Sequence, residues 1–377
     1  MKQEVSMTGS SARGAMAERL DAVIDEAVGR SIVGAVVLVA EHGDIVYARA
    51  AGYADREAGK PTQLDTIFRL ASVTKPMVAA AALALIEKGV IALDAPLTRY
   101  LPDFRPKLAD GREPVITIRN LLTHTSGFIY GYPPEAGISE GLADPGRGMA
   151  ENLAKIAAWP LAFEPGTKWF YSVSIDVLGG VLEKAAGKSL PDIVAETVTG
   201  PLGLRDTAFS VVDRARLATA YADGTPPFPM APFQKVQALD GVLGFAPDRV
   251  FDPASFPSGG AGMVGTAGDF LTFLEAVRKG GAPILGAESV AGLSQNALGA
   301  VETGRPGVGF GLGWSIVLDP ALAESPASRG AWRWGGVYGN DWLVDPSREL
   351  TVVSFTNTAV EGCMGAYPKA ITGAVYG

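Results

Sequence analysis

The chain is poor in the side chains that most often carry chemistry. Cys363 is the single cysteine in 377 residues, so no internal disulfide can form. A lone cysteine near the C-terminus is expected to act as a small, partly buried apolar group. There are two histidines, His42 and His124. That shortage argues against a histidine-rich metal site, and any histidine-based serine triad would have to use one of these two. His42 lies in Glu41-His42-Gly43-Asp44, the turn of an expected hairpin. No run of lysine or arginine occurs, and the net charge of −8 disfavours nucleic acid and anionic membranes as partners. No apolar run is long enough to span a bilayer, and Val78–Ile86 falls well short. The polar N-terminal stretch lacks the apolar segment of a secretory signal, so a cytoplasmic protein is expected. Internal repeats and low-complexity segments are also absent.

What is abundant is turn-forming residue and apolar surface. The 47 glycines and 26 prolines imply many loops, which suit a site assembled from several segments. The length allows a large core, in one big domain or two intimate ones. The stretch Arg69–Gly89, RLASVTKPMVAAAALALIEKG, reads as a helix buried on most of its circumference. A helix beginning at Ser72 puts Ser72 and Lys75 on one face, one turn apart. A hydroxyl and an amine held together there have the parts of an activated nucleophile, and the helix N-terminus favours developing negative charge. Pro76 is tolerated in the first turn, and Gly89 is a stop signal. The same four residues also fit an N-cap with a solvated lysine, so the pair needs partners elsewhere in the chain.

In chain order, residues 17–29 predict an amphipathic helix, with Leu20, Val23, Ile24 and Val28 on one side. Val33–Ala40 and Ile45–Ala51 predict the hairpin, and Gly52–Asp65 a polar loop. Residues 90–210 read as short helices with frequent breaks: Ile91–Leu101 interrupted by Pro96, Ile118–Thr123 capped by Thr117, Asn152–Trp159, a helix capped by Ser174 and running to Ala186, and one capped by Ser189 and running to about Val198. Gly127–Gly148 reads as loop, and residues 211–257, without clear periodicity, as a long substrate-facing loop. From Ser258 the pattern becomes sheet and helix. It gives a short strand at Gly262–Gly265, a helix across Phe270–Lys279 capped by Thr266, and strands at Gly309–Leu318, Ala331–Gly335, Asp341–Val344 and Leu350–Asn357. A final helix is expected over 361–376. Strands near both ends with helices between predict an α+β fold: one antiparallel sheet built from both termini, flanked by helices, with a mainly helical insertion.

Three further motifs bear on chemistry. Gly137-Ile138-Ser139-Glu140-Gly141 matches G-x-S-x-G, but a nucleophile elbow needs a strand before it and a helix after it, and both flanks here are loop. Tyr171-Ser172-Val173 sits at a loop–helix junction, where a tyrosine is either half-buried structure or a base. A phenol ionises far above neutral pH unless a cation lies beside it, and Lys75 is the candidate cation. Arg333-Trp334-Gly335-Gly336-Val337-Tyr338-Gly339 has glycines that allow close backbone approach at a sheet edge, or that simply mark a bend.

Together Ser72-Val73-Thr74-Lys75, Leu121-Leu122-Thr123-His124-Thr125-Ser126-Gly127, Tyr171-Ser172 and Trp334-Gly335-Gly336 have the order and spacing of the serine β-lactamase-like superfamily. From about Leu20 to Tyr376 the chain resembles the family VIII carboxylesterases, relatives of the class C β-lactamases. The resemblance implies a β-lactamase/penicillin-binding-protein-like fold. Residues 1–95 and 258–377 would form a discontinuous α/β domain and 96–257 a helical domain, with the active site in the cleft between them. It implies Ser72 as the acylated nucleophile, Lys75 as its activating partner and Tyr171 as general base. The backbone N–H groups of Ser72 and Val337 would form the oxyanion hole, and Trp334, Gly335, Gly336, Tyr130 and Val173 would bind substrate. His124 is expected to organise the helical part rather than react. Tyr132, Trp159, Trp169 and Tyr338 are further candidates to line the pocket.

Two positions depart from the β-lactamase pattern. Val173 stands where those enzymes carry the asparagine of Y-x-N, and Trp334 where they carry the lysine of K-T-G. Both changes make the pocket less polar and favour neutral acyl groups. The expected activity is hydrolysis of short-chain or neutral carboxylic esters through an acyl-serine, with a small-molecule ester as partner and no metal or organic cofactor. Alternatives are β-lactam hydrolysis, acyl transfer or amide hydrolysis on the same site, or a non-catalytic binding protein on this scaffold. The sequence does not distinguish a monomer from a homo-oligomer. Ser72→Ala is expected to abolish hydrolysis of short-chain p-nitrophenyl esters while leaving the fold intact. Activity that survives this change and disappears in Ser139→Ala would transfer the nucleophile to the G-x-S-x-G serine.

Overall fold

The computed structural model describes residues 5–143, 148–238 and 241–377. Part of the expected 127–148 loop, at 144–147, lies outside the described residues. The first half of the chain runs α1 (Val5–Ala27), β1 (Gly34–Glu41), β2 (Asp44–Asp55), β3 (Lys60–Pro61), β4 (Phe68–Arg69), α2 (Thr74–Glu87), α3 (Ile118–Leu122), α4 (Met149–Ala158), α5 (Ser174–Ala186) and α6 (Leu190–Val194). Then follow β5 (Tyr221–Ala222), β6 (Phe228–Pro229), β7 (Gln234–Ala238), β8 (Gly241–Phe245), β9 (Val264–Gly265), α7 (Ala267–Arg278) and α8 (Ala287–Ser294). The chain ends with β10 (Val308–Phe310), β11 (Ser315–Val317), β12 (Trp332–Gly336), β13 (Asn340–Asp345), β14 (Leu350–Thr356), α9 (Glu361–Met364) and α10 (Ala366–Tyr376).

The main sheet has eight strands in the order β10-β11-β12-β13-β14-β1-β2-β3, and the pairs are antiparallel. It is built from both ends of the chain, as the pattern of strands predicts. The seam is β1 against β14, with Val36 opposite Phe355 and Leu38 opposite Val353. Strand β1 is apolar on both faces because both are covered. Val36, Leu38 and Ala40 face the main core with Phe270, Phe273, Val353 and Phe355. Ala35, Val37 and Val39 face a second cluster with Leu20 and Ile24 of α1 and Ile371 of α10. Phe355 touches Phe68 at 6.1 Å and Phe270 at 5.6 Å between ring centroids, which ties the sheet to β4 and α7.

Helix α2 lies inside this core, with every residue from Thr74 to Leu85 buried. Its run of alanines keeps the helix thin, and at Ala79 the backbone of Gly313 comes so near that a Cβ on the glycine would lie 2.9 Å from the alanine Cβ. The helix begins two residues later than the sequence pattern predicts. Residues Ala71–Val73 form a 3-10 turn, and Ser72 sits in it rather than on the α-helix proper.

Other boundaries also differ. The Ile91–Leu101 helix is only a 3-10 turn at Leu97–Arg99, because Leu97 N–H and Ile118 N–H bond across to Ile116 O and Ala95 O instead of along the segment. The predicted strand at 309–318 folds back on itself as β10 and β11, with Gly311 N–H bonding Trp314 O. The predicted 52–65 loop is partly strand, since β2 runs on to Asp55 and pairs with β3. Residues 211–257 contain two small hairpins rather than one loop. The last helix is broken at Gly365 into α9 and α10. The hairpin turn is as expected: His42 and Gly43 both have positive φ, 54° and 92°, which the twist of a two-residue hairpin requires. Among the described residues no helix is long and apolar enough to cross a membrane.

Phe355→Ala removes a wholly buried ring from the junction of sheet, β4 and α7. It is expected to cost about 3–5 kcal/mol of stability in urea unfolding. A cost under about 1 kcal/mol, the level of an ordinary surface change, would contradict this packing.

Candidate active site

Ser72 is positioned by the chain that leads into it. Strand β4 pairs with β9, and the buried Arg69 guanidinium donates to Pro247 O at 2.8 Å and Ala218 O at 2.7 Å. The Asn340 amide of β13 donates to Arg69 O at 2.7 Å, which fastens this approach to the main sheet. Ala71 then takes φ 45°, an uncommon conformation for a residue with a side chain, and turns the backbone sharply. Ser72 emerges half-buried at the head of α2. Strand β12 lies directly against this turn. It can do so because residue 336 is glycine: a Cβ there would collide with the Leu70 carbonyl oxygen. Among the described residues, no backbone hydrogen bond takes the N–H of Ser72 or of Val337.

Lys75 is 1 % exposed, yet all three of its ammonium hydrogens have acceptors. Nζ donates to Gly260 O at 2.8 Å, to Tyr130 Oη at 3.0 Å and to Ser72 Oγ at 3.3 Å. It also lies over two aromatic faces, 4.5 Å from the Tyr171 ring centroid and 5.3 Å from that of Tyr130. The sequence pairing of Ser72 with Lys75 is therefore present in space, although a 3-10 turn and not an α-turn joins them.

The two tyrosines divide differently from expectation. Tyr130, read from sequence as a substrate contact, gives its hydroxyl to Lys75. Burial pushes its phenol well above the ordinary range, and Tyr171 and Asp176 add to the effect. The Tyr171 hydroxyl instead accepts from the Trp334 indole N–H at 3.3 Å, and among the described residues no hydrogen bond joins it to Ser72 or Lys75. Its ring is enclosed by His124, Trp334 and Tyr130, at centroid distances of 4.8, 5.0 and 5.3 Å.

A chain of hydroxyls sets Tyr171 in place. Ser126 Oγ, Ser174 Oγ and Ser172 Oγ are linked at 2.7 Å each, and Ser172 Oγ lies 3.3 Å from His124 Nδ1. The Ser172 N–H donates to the same Nδ1 at 3.3 Å, so the ring carries its proton on Nε2. Burial, with the Lys75 charge second, holds the His124 pKa well below its ordinary value. His124 thus joins the 123–127 segment to the start of α5 through its Nδ1.

Other expected site residues fall elsewhere. Val173 is wholly buried in the main core just before α5, so its side chain cannot line a cleft; the helix that follows turns it inward. Gly335 allows a close approach, but to Cys363 and the Asn340 carbonyl, 2.7 and 2.8 Å from where its Cβ would be. Burial pushes the Cys363 thiol up, which keeps it inert. Tyr338 is buried against Phe245 in a separate cluster. Tyr132 meets Trp159 edge-on and Trp169 packs on Phe310, all partly exposed except Phe310. Ser139 is buried, its N–H bonded to Asn152 Oδ1 at 2.7 Å, and a 3-10 turn rather than a strand precedes it.

Four residues near the site were not singled out from sequence. Asp176, Ser258 and Gly260 lie behind Lys75, and their only sequence signal was an acid in the first turn of an apolar helix and a Ser-Gly-Gly run. Arg305 places its guanidinium 5.8 Å from the Trp334 ring centroid, so a cation stands at the tryptophan that replaces a lysine. Among the described residues there is no group of three or more His, Cys, Asp or Glu side chains that could hold a metal ion.

The whole arrangement has counterparts in known proteins. The Beta-lactamase family model matches residues 20–372. Esterase EstB of Burkholderia gladioli is 48 % identical over 376 residues, covering 96 % of this chain and 95 % of that one. Among solved structures, EstCE1, described as a hydrolase with promiscuous acyltransferase activity, superposes with a TM-score of 0.93 at 42 % identity, covering 97 % of this chain and all of that one. Simvastatin synthase (LovD) from Aspergillus terreus superposes with a TM-score of 0.73 at 25 % identity, covering 95 % and 97 %. With a family model matched over residues 20–372 and a relative 48 % identical over nearly the whole length, the chain belongs to the Beta-lactamase family.

Proposed function

We propose that the protein is a serine carboxylesterase that hydrolyses small neutral esters through an acyl-enzyme on Ser72. The observation that carries this reading is the buried Lys75 ammonium, whose three hydrogens are shared among Ser72 Oγ, Tyr130 Oη and Gly260 O. A hydroxyl fixed by a cation at the head of a helix, beside two unused backbone N–H groups, is the arrangement acyl transfer needs. The similarity to Esterase EstB supports an ester as substrate.

Ser72 Oγ attacks the ester carbonyl. The carbonyl oxygen, becoming an oxyanion, is received by the N–H groups of Ser72 and Val337. With all three N–H bonds of Lys75 engaged, the proton leaving Ser72 needs another acceptor, and Tyr171 is the one favoured. The ammonium over its ring and the indole N–H on its oxygen both stabilise negative charge there. Substrate closing over Ser72 brings this pair into hydrogen-bond range, as catalytic contacts often tighten only on binding. The proton then passes to the leaving alcohol. Water enters and attacks the acyl carbon as Tyr171 takes its proton, and that proton passes to Ser72 Oγ as its bond to the acyl carbon breaks and the acid departs. Tyr130 keeps its proton and holds Lys75. The partly exposed Trp334, packed on Tyr171, puts an apolar face beside the proposed base, which suits neutral acyl groups.

Two experiments test this reading. Tyr171→Phe is expected to lower kcat by about 10²- to 10⁴-fold with little change in KM, the range for loss of a general base, and Tyr130→Phe to lower it less. If Tyr130→Phe is the more damaging, Tyr130 is the base. The second reading, acyl transfer, is favoured by the likeness to EstCE1 and to simvastatin synthase. Hydrolysis with added 1-butanol should give the acid as main product. A butyl ester as main product at low butanol, with water in large excess, would make the protein an acyltransferase.

A further inference from the structure

Behind Lys75 lies a line of buried polar groups that the acyl-transfer mechanism does not use. Gly260 O accepts from Lys75 Nζ at 2.8 Å. The same peptide group carries the N–H of Ala261, which donates to Ser258 Oγ at 2.9 Å. Ser258 Oγ donates in turn to Asp176 Oδ1 at 2.5 Å. Gly260 N–H reaches that carboxylate oxygen as well, at 3.1 Å. Every dipole in the line points the same way, with its negative end toward the ammonium and its positive end toward the carboxylate. Hydrogen bonds aligned in this manner strengthen one another in a low-dielectric interior. Asp176 and Ser258 have no solvent exposure, and Lys75 has 1 %.

The backbone between them is shaped for this purpose. A Cβ on residue 260 would lie 2.5 Å from Asp176 Oδ2 and 3.0 Å from Tyr130 Oη, so glycine alone lets the peptide pass between carboxylate and phenol. Asp176 Oδ2 is buried and has no hydrogen-bond partner among the described residues. A buried carboxylate left half-satisfied is costly. Its negative charge is offset by the cations it faces, Lys75 first and Arg249 after it. Burial pushes Asp176 upward, and Lys75 is the largest opposing influence. The charged and titratable groups around Lys75 are Tyr130, Tyr171, His124 and Asp176, and of these Asp176 is the carboxylate.

We infer that Asp176 is a positioning residue for the reaction: through Ser258 and the 260–261 peptide it holds Lys75 aimed at Ser72 and Tyr130. This rests on the acyl-serine reading above. Asp176 never touches substrate. Its effect is on how Lys75 presents its hydrogens during acylation, so it acts on turnover and not on substrate binding.

The test is a double-mutant cycle on the full chain, with p-nitrophenyl butyrate hydrolysis and the rate of Ser72 labelling by a fluorophosphonate as readouts. Asp176→Asn keeps the shape and the oxygen that Ser258 and Gly260 bond, and replaces the charged carboxylate with a neutral amide whose NH2 takes the place of Oδ2. It is expected to lower kcat and the labelling rate on the order of 10²-fold, as displacement of a positioned group does, with KM and the melting temperature little changed. Ser258→Ala breaks the line at one link, and it should act in the same direction. The double variant should be no worse than Asp176→Asn alone, because links in series are not additive. Unchanged kcat in Asp176→Asn overturns the proposal, as do additive losses in the double variant or a fall in kcat accompanied by equal disturbance of KM and melting temperature. If Asp176→Asn does not fold, full kcat in Ser258→Ala overturns it. Ser72→Ala is run alongside. Activity surviving in that variant overturns the acyl-serine reading itself, whereas a dead Ser72→Ala with a fully active Asp176→Asn overturns the role of Asp176 alone.

Discussion

The rest of the site depends on one buried cation. An ammonium taken out of water loses several kcal/mol of solvation even after the protein relaxes around it, and an uncompensated one would unfold its surroundings or lose its proton. Lys75 is compensated at each of its hydrogens, by a backbone carbonyl, a phenol and the Ser72 hydroxyl. Two aromatic faces cover it from the side. Each of these partners comes from a different segment of chain, so satisfying the lysine requires those segments to meet. Stability and chemistry place the same demand on the structure here.

The segments are brought together by packing that has its own reasons. Helix α2 is thin and apolar from Pro76 to Ile86, so it sinks into the core and carries Lys75 there with it. Strand β12 can lie on the turn that carries Ser72 because residue 336 has no side chain. The 123–127 segment and the start of α5 are stitched by serine hydroxyls and His124, and this fixes the Tyr171 ring between Lys75 and Trp334. The outcome is a cation and a phenol in aromatic contact, with little water between them. In such surroundings fixed dipoles and charges act more strongly than they would in solvent.

Much of this was legible in the sequence wherever local chemistry decided the outcome. The hairpin at His42-Gly43, the caps at Thr117 and Thr266, and the apolar strand β1 follow from side-chain type and spacing. The sheet formed from both ends followed from where the strand-like runs stood. Boundaries were missed where a distant segment claimed the backbone. The stretch around Pro96 bonds to residues near Ile116 and so does not coil, and glycines at 311 and 313 fold one long apolar run into two short strands. Val173 is a similar case: its place in a motif suggested a pocket wall, but burial of α5 turned it into the core.

The sequence by itself determined that a serine and a lysine would lie about one turn apart at the head of a buried helix, because helix periodicity is a local property; that tyrosine and tryptophan motifs would be their neighbours followed only from the resemblance of the motif order to a known superfamily. Only the tertiary structure decided which oxygen each donor meets. It gave the Lys75 hydrogens to Tyr130 and Gly260, gave the Tyr171 oxygen to Trp334, and set Asp176 behind them through Ser258. Those partners lie 55 to 185 residues from Lys75 along the chain for the lysine contacts alone. No periodicity records separations of that kind. They are fixed when side chains from separate elements compete for the few positions that a close-packed interior leaves open.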